Sequence, residues 1–353
     1  MSKDPQDPDN KISILLLKWY DKFGRDLPWR VKGNQKPNPY KVWISEIMLQ
    51  QTTVKTVIPY YEKFILKWPD IFSLSLASQS EIMSMWSGLG YYRRARNMHL
   101  CAQFICNKFE GQFPNNEKKL IKLPGIGVYT AAAISSIAFN QRAVVVDGNI
   151  ERVVSRLFAV KESILKSKKI VRSLTNNITP NEKNSDFVQA MMDLGALVCK
   201  PSNPLCDLCP ISLKCVAKKK GEANNIPYKE KKITKDIRNG IAIIIKRKNE
   251  ILFYTRPIKG LLGGMDAIPS YGWDEIDNNN LKFLKNLRKN KIGQISHNFS
   301  HFKLTIKIYS SKIDIDDECK IPKFYKWIKI TEIKKLALPS LMEKILKEAK
   351  LIS

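Results

Sequence analysis

No stretch of this 353-residue chain approaches the ~18–20 consecutive apolar residues of a membrane span, and the run Ile14 to Leu17 is too short for a signal sequence. The expectation is a soluble protein that is not exported. Acidic residues are scarce: 33 Asp+Glu stand against 60 Lys+Arg, a formal charge of +27. A field of that sign attracts polyanions, nucleic acid first, although a Lys-rich surface produced by AT-rich coding bias gives the same count. A disulfide framework is also absent from the pattern. Seven cysteines is an odd number, and Cys199, Cys206, Cys209 and Cys215 crowd into one short segment, which suits a metal or iron–sulfur site in a reducing cytosol. Cys101, Cys106 and Cys319 read as ordinary buried thiols. There is no repeat of fixed period, and the length predicts two domains, each able to bury a core.

From Lys11 to about Phe158 apolar residues recur at helical spacing, as in Ile12, Leu15, Leu16, Trp19 and Tyr20, and again in Val42, Ile44, Ile47, Met48 and Leu49. Turn signals at Leu27-Pro28, Pro37 to Pro39, Trp68-Pro69, Gly88 to Gly90 and Pro124 to Gly127 leave helices of ordinary length between them. Lys218 to Asp236 is polar and basic and reads as a linker. Beyond it, Gly240 to Ile245, a polar turn at Arg247 to Glu250, and Ile251 to Thr255 predict a hairpin. Phe302, Leu304, Ile306 and Ile308 alternate with polar residues, which predicts a half-buried strand over His301 to Tyr309, and Ser340 to Ala349 is amphipathic. The expected organisation is an all-α domain over 1–217, a linker over 218–237 and a mixed α+β domain over 238–353.

Four segments carry chemistry. The cysteines are spaced Cys-x6-Cys-x2-Cys-x5-Cys, so one loop can hold one cofactor, with Lys200 and Lys214 beside it for phosphate. Four thiolates suit a [4Fe–4S] cluster or tetrahedral zinc; a single Cys-x2-Cys, where structural zinc pairs two knuckles, favours iron–sulfur. Leu123 to Ala131 places Gly125 and Gly127 in a tight turn that opens an Ala-rich helix, Tyr129 to Phe139, the pattern of a helix-hairpin-helix that grips phosphate through backbone amides. Asp147 ends the apolar run Val144 to Val146 just before a helix, Ile150 to Phe158, where it is either an N-cap or a catalyst. Glu46, in Trp43 to Gln51, is a carboxylate in an apolar stretch: either a surface residue of an amphipathic helix or a buried acid whose raised pKa holds a proton. A protonated and an ionised carboxyl together are what cleavage of a glycosidic bond requires. Gln50, Gln51, Tyr91 and Tyr92 near turns, followed by Arg93, Arg94 and Arg96, have the chemistry of a wedge that replaces an extruded base.

Leu27-Pro28-Trp29-Arg30, Trp43 to Gln51, Gly88 to Tyr92, the hairpin, Asp147 to Asn149, the four cysteines and His297-Asn298-Phe299-Ser300-His301-Phe302 together resemble, over nearly the whole chain, the adenine DNA glycosylases of the MutY type within the helix-hairpin-helix superfamily. The resemblance implies release of adenine mispaired with 8-oxoguanine or guanine in double-stranded DNA, after base flipping, by a monomer in the cytoplasm beside the nucleoid. It implies that Glu46 protonates adenine N7 and handles water, that Asp147 stabilises the oxocarbenium ion or its adduct, and that Tyr129 and Asn149 support them. It further implies an adenine pocket at Trp29 and Arg30, a probing wedge at Gln51 and Tyr91 with Gln50 beside it, and a [4Fe–4S] cluster on the four cysteines. The C-terminal half resembles a Nudix fold in which Phe299-Ser300-His301 detects 8-oxoguanine.

The competing resemblance is endonuclease III, a glycosylase with lyase activity, whose nucleophilic Lys is replaced here by Tyr129; a monofunctional glycosylase is therefore expected. A DNA-binding module without catalysis is the other alternative. The chain departs from the family at Gly260 to Pro269, which lacks a Trp and aromatics, and at Val31 to Asn38, a longer loop. The Nudix catalytic box is missing, so nucleotide hydrolysis is not expected.

Overall fold

The computed structural model describes residues 8–31, 35–228, 236–257, 260–273, 281–299, 301–313, 321, 324–336 and 338–352. The helices run α1 (Pro8–Phe23), α2 (Pro39–Leu49), α3 (Val54–Lys67), α4 (Ile71–Leu76), α5 (Gln79–Met85), α6 (Arg93–Phe109), α7 (Glu117–Leu120), α8 (Val128–Phe139), α9 (Gly148–Leu157), α10 (Ile164–Ile178), α11 (Asn184–Asp193) and α12 (Val216–Lys219). Then follow β1 (Asp236–Arg247), β2 (Glu250–Thr255), β3 (Asp266–Ala267), β4 (Ser270–Tyr271), α13 (Leu281–Asn286), β5 (Asn290–Asn298), β6 (Phe302–Lys312), β7 (Tyr325–Lys329) and α14 (Ser340–Glu348). Among the described residues no helix is long and apolar enough to cross a membrane. The chain forms two compact units: Met1–Leu76 with Asn97–Lys232, and Ala77–Arg96 with Ile233–Ser353.

The first unit is built around α2 and α8. Asn38 caps α2 by accepting from the amides of Tyr40 and Lys41, and Pro39 opens it with a fixed φ. Apart from Lys41, every residue from Tyr40 to Met48 is buried, as expected of a helix apolar on all sides. The small residues of α8, buried from Thr130 to Ile137, allow close packing against α2 and α11. Ile12 and Leu16 of α1 join Val153 and Val154 of α9 and Phe187 and Met191 of α11 in the same core. The polar stretch after Cys215 begins as folded chain: α12 is followed by Ile226, which is buried with Ala159 and Ala217. Residues 229–235 of the expected linker lie outside the described residues.

The second unit carries a mixed sheet in the order β3-β2-β1-β6-β5, with β4 added to β1 and β7 to β2. The expected hairpin is present, with Lys246 opposite Ile251 and Arg247 opposite Glu250. β1 is longer than its apolar segment because its outer end, where Ile237 is exposed, pairs in parallel with β6 from Asp236↔Phe302 onward. Ala242 to Ile245 are all fully buried, the signature of a central strand. β6 alternates as expected, with Leu304, Ile306 and Ile308 inward, and α14 covers the sheet with Leu341, Met342, Ile345 and Leu346. In the divergent stretch, Met265, Ala267 and Ile268 are buried and Leu261 and Leu262 pack against the core of this unit, so aliphatic side chains make the local packing.

Candidate active site

α2 and α8 bring Glu46 to Tyr129, whose hydroxyl donates to Glu46 Oε2 at 2.7 Å. Glu46 is only 5% exposed, which removes the surface alternative. Burial pushes its carboxyl up to about 7; nearby Asp147 adds to the rise, while the Tyr129 hydrogen bond and Arg30 oppose it. Burial and the two carboxylates also raise the Tyr129 phenol, so it remains a donor. Asp147 caps α9 by accepting from the Ile150 amide at 2.7 Å, and its second oxygen accepts from Asn149 Nδ2 at 3.0 Å. Cap and neighbour of the buried acid are thus one residue. Asn149 Oδ1 accepts from Arg152, which also donates to the carbonyls of Gly195 and Cys199. Gly195 lies in a π-turn, Leu194–Val198, where a Cβ would stand 2.6 Å from Asn149 Cβ; only glycine permits that approach.

Arg30 and Trp29 sit on the chain that enters α2. Arg30 makes a bidentate pair with Asp193 at 2.7 and 2.8 Å, and Arg25 binds the same carboxylate through its amide at 2.8 Å and its Nε at 2.7 Å. Asp193 is fully buried. Burial alone would raise its carboxyl, but the hydrogen bonds and charges of Arg30 and Arg25 outweigh that and hold it below the ordinary range. Trp29 is nearly buried and meets Tyr61 edge-on at 5.2 Å. Sequence reasoning missed Arg25, Asp193, Arg152 and Gly195. For Asp193 the signal was available: an acid inside the apolar run Ala190 to Val198, as Glu46 is inside its own.

The hairpin turns at Gly125, with φ +74°, where a Cβ would also collide with Asn97. Gly127 caps α8 and faces open space, so the amides of the first turn are not screened by a side chain. Gln50 ends α2 and donates to Thr130 Oγ1 at 3.2 Å. Gln51 in the first unit and Tyr91 in the second both adopt left-handed backbone, φ 59° and 48°, a conformation that non-glycine residues keep mainly where function or tight turns demand it. Tyr91 is 52% exposed, with the Arg94 guanidinium 5.6 Å from its ring.

In the second unit, Phe299 precedes β6 and its amide donates to the Phe302 carbonyl at 2.9 Å. His301 is exposed, and Ser300 lies outside the described residues.

Cys199, Cys206, Cys209 and Cys215 line one cavity of the first unit, together with Arg156. Burial pushes the Cys209 thiol up to about 12 and raises Cys215, so thiolates form there only beside strong positive charge, as a metal centre supplies. Arg156 is itself buried; it donates to the carbonyls of Ile226, Lys200 and Pro201, with Nη1 3.3 Å from Cys199 Sγ. Among the described residues no group of three His, Cys, Asp or Glu is placed to hold a single metal ion. Four thiols on one cavity are the donor type that iron–sulfur clusters take.

A helix-hairpin-helix turn beside a buried acid and a capped carboxylate defines a base-excision DNA glycosylase, and the comparisons with known proteins agree. Residues 44–181 match the HhH-GPD superfamily base excision DNA repair protein, and residues 240–348 match the NUDIX domain. The chain is 39% identical to the adenine DNA glycosylase of Buchnera aphidicola subsp. Baizongia pistaciae (strain Bp), over 85% of this chain and 86% of that one. It is 31% identical to the adenine DNA glycosylase of Homo sapiens, over 94% and 72% respectively. A solved thermostable thymine-DNA glycosylase superposes on 62% of this chain and all of its own, with a TM-score of 0.54 and 30% identity. The chain belongs to the adenine DNA glycosylase family.

Proposed function

We propose that this glycosylase hydrolyses the N-glycosidic bond of adenine opposite 8-oxoguanine or guanine in double-stranded DNA, with Glu46 as general acid and Asp147 as stabiliser of the cation. The observation that carries the reading is Glu46 itself: buried, pushed up to about 7, and hydrogen-bonded to Tyr129. A carboxyl so placed keeps its proton near neutral pH for delivery. Hairpin amides at Gly125 and Gly127 hold the backbone while adenine is flipped out, and Gln51 and Tyr91 fill the space it leaves. Trp29 and Arg30 line the pocket, Arg30 being fixed by Asp193. Glu46 protonates adenine N7; the C1′–N9 electron pair leaves with the base, and the resulting oxocarbenium ion faces Asp147, oriented by Asn149. Glu46, now a carboxylate, accepts a proton from the water that attacks C1′. Tyr129 offers no amine for a Schiff base, so strand cleavage does not follow.

The second domain, 238–353 beyond a linker at 218–237, reads the opposite base through Phe299, Ser300 and His301. Residues 1–217 form the catalytic domain, whose Cys199, Cys206, Cys209 and Cys215 hold a [4Fe–4S] cluster that ties the loop together and adds negative charge beside Arg156. The protein acts as a cytoplasmic monomer at the nucleoid. Single-turnover assays of the iron-loaded protein on duplexes with adenine opposite 8-oxoguanine test this reading. Base release without strand scission is expected. No release ends the enzyme reading, and scission at the released site favours the lyase alternative.

A further inference from the structure

Against Phe299, just after β5, stacks an aromatic column that the catalytic reading does not use. Trp273 is 3% exposed and follows Gly272, whose φ of +87° turns the chain inward after β4. Its ring is nearly parallel to Phe299, at 6.1 Å and 15°, and Phe299 lies on Phe302 at 4.7 Å and 28°. Two guanidinium groups close the ends: Arg256 is 5.1 Å from the Trp273 ring and Arg238 is 4.2 Å from the Phe302 ring. Arg238 also donates to the Trp273 carbonyl at 3.4 Å. On β1, Gly240 makes room for the indole, since a Cβ there would stand 2.6 Å from its Cδ1. The indole Nε1 is buried without a hydrogen-bond partner among the described residues, whose contacts to it are with its faces. Parallel rings bracketed by two cations, with a glycine opposite, form an oriented stack, where a volume-filling tryptophan needs no such order.

We propose that Trp273 is a positioning residue for lesion reading: its indole holds Phe299 at the root of the β5–β6 turn, so that discrimination between 8-oxoguanine and guanine depends on a side chain buried beneath that turn. The inference rests on the proposed role of the Phe299-Ser300-His301 loop.

The test measures single-turnover adenine release by the full-length chain from two duplexes, adenine opposite 8-oxoguanine and adenine opposite guanine, with thermal unfolding of each variant. Trp273→Ala is expected to lower the ratio of the two rates by roughly tenfold, the scale of one aromatic contact, and Trp273→Phe to keep most of it. Equal loss on both duplexes marks a merely structural residue and overturns the proposal. If Trp273→Ala does not fold, Trp273→Leu retains more apolar side chain than alanine without a flat face, and a wild-type ratio in that variant overturns it equally. Phe299→Ala separates the two readings. A lowered ratio there with an unchanged ratio in Trp273→Ala overturns this inference alone, whereas an unchanged ratio in Phe299→Ala removes the loop reading and this inference with it.

Discussion

At the scale of single residues, the site is a contest between burial and partners. Burial pushes Glu46 toward its neutral form because Tyr129 and Arg30 only partly compensate, whereas Asp193, also buried, is held in its charged form because two arginines converge on it. The two acids therefore shift in opposite directions, with opposite consequences for stability. A carboxyl raised in the folded state binds protons that the unfolded chain has released, so Glu46 destabilises the protein as pH rises from about 4.5 to about 7, and fully above that. Glu46→Gln is accordingly expected to gain up to about 3 kcal/mol at pH 8 and little at pH 4 by denaturant unfolding. Asp193 contributes stability above roughly pH 4, which is lost as pH falls further. Asp193→Asn leaves two guanidinium groups without their anion and is expected to cost about 3–5 kcal/mol at neutral pH, measured in the same way. Glu46 was legible only in company: alone in its apolar run it reads as a surface residue or a buried acid, and its pairing with Asp147 and the surrounding motifs singled it out. Asp193 stands in an apolar run of the same kind, but its partners Arg25 and Arg30 lie more than 160 residues away, so its pairing is visible only in the fold.

At the scale of elements, the helices, the hairpin turn and the strand β6 were legible because their periodicity and glycines are local. The parallel pairing of β1 with β6 was not: it joins residues 66 positions apart, as in Asp236↔Phe302, and nothing in the outer half of β1 marks it as strand. The inclusion of Ala77–Arg96 in the second unit was equally invisible, since it depends on contacts such as the hydrogen bond from Tyr92 to the Leu338 carbonyl. The π-turn carrying Gly195 shows what one backbone approach can do. Gly195→Ala forces Asn149 away and loosens its hold on Asp147, so adenine release is expected to slow by roughly tenfold or more, the value of one hydrogen bond to a charged group. If the proposed cluster is present, iron content should stay near four per chain, because Cys199, Cys206, Cys209 and Cys215 are unchanged. An unchanged rate would show that Asn149 does not orient Asp147.

At the scale of the whole molecule, the charge of +27 gains a place to act. Lys200 and Lys214 flank the cysteine loop, and the duplex held at the hairpin lies within their field in the proposed complex. Replacing both with Ala is expected to weaken binding to matched and mismatched duplexes alike and to reduce the slope of log affinity against log salt by about 2. A loss confined to mismatched DNA would contradict a phosphate role. The account as a whole turns on Glu46 as the proton donor, and the most direct measurement is the pH dependence of single-turnover adenine release opposite 8-oxoguanine, for the native chain and for Glu46→Gln. The native rate should fall as pH rises past about 7, where Glu46 loses its proton. Glu46→Gln should bind the mispair yet release adenine at least ~10²-fold more slowly. A Glu46→Gln protein that works at the native rate would contradict the account.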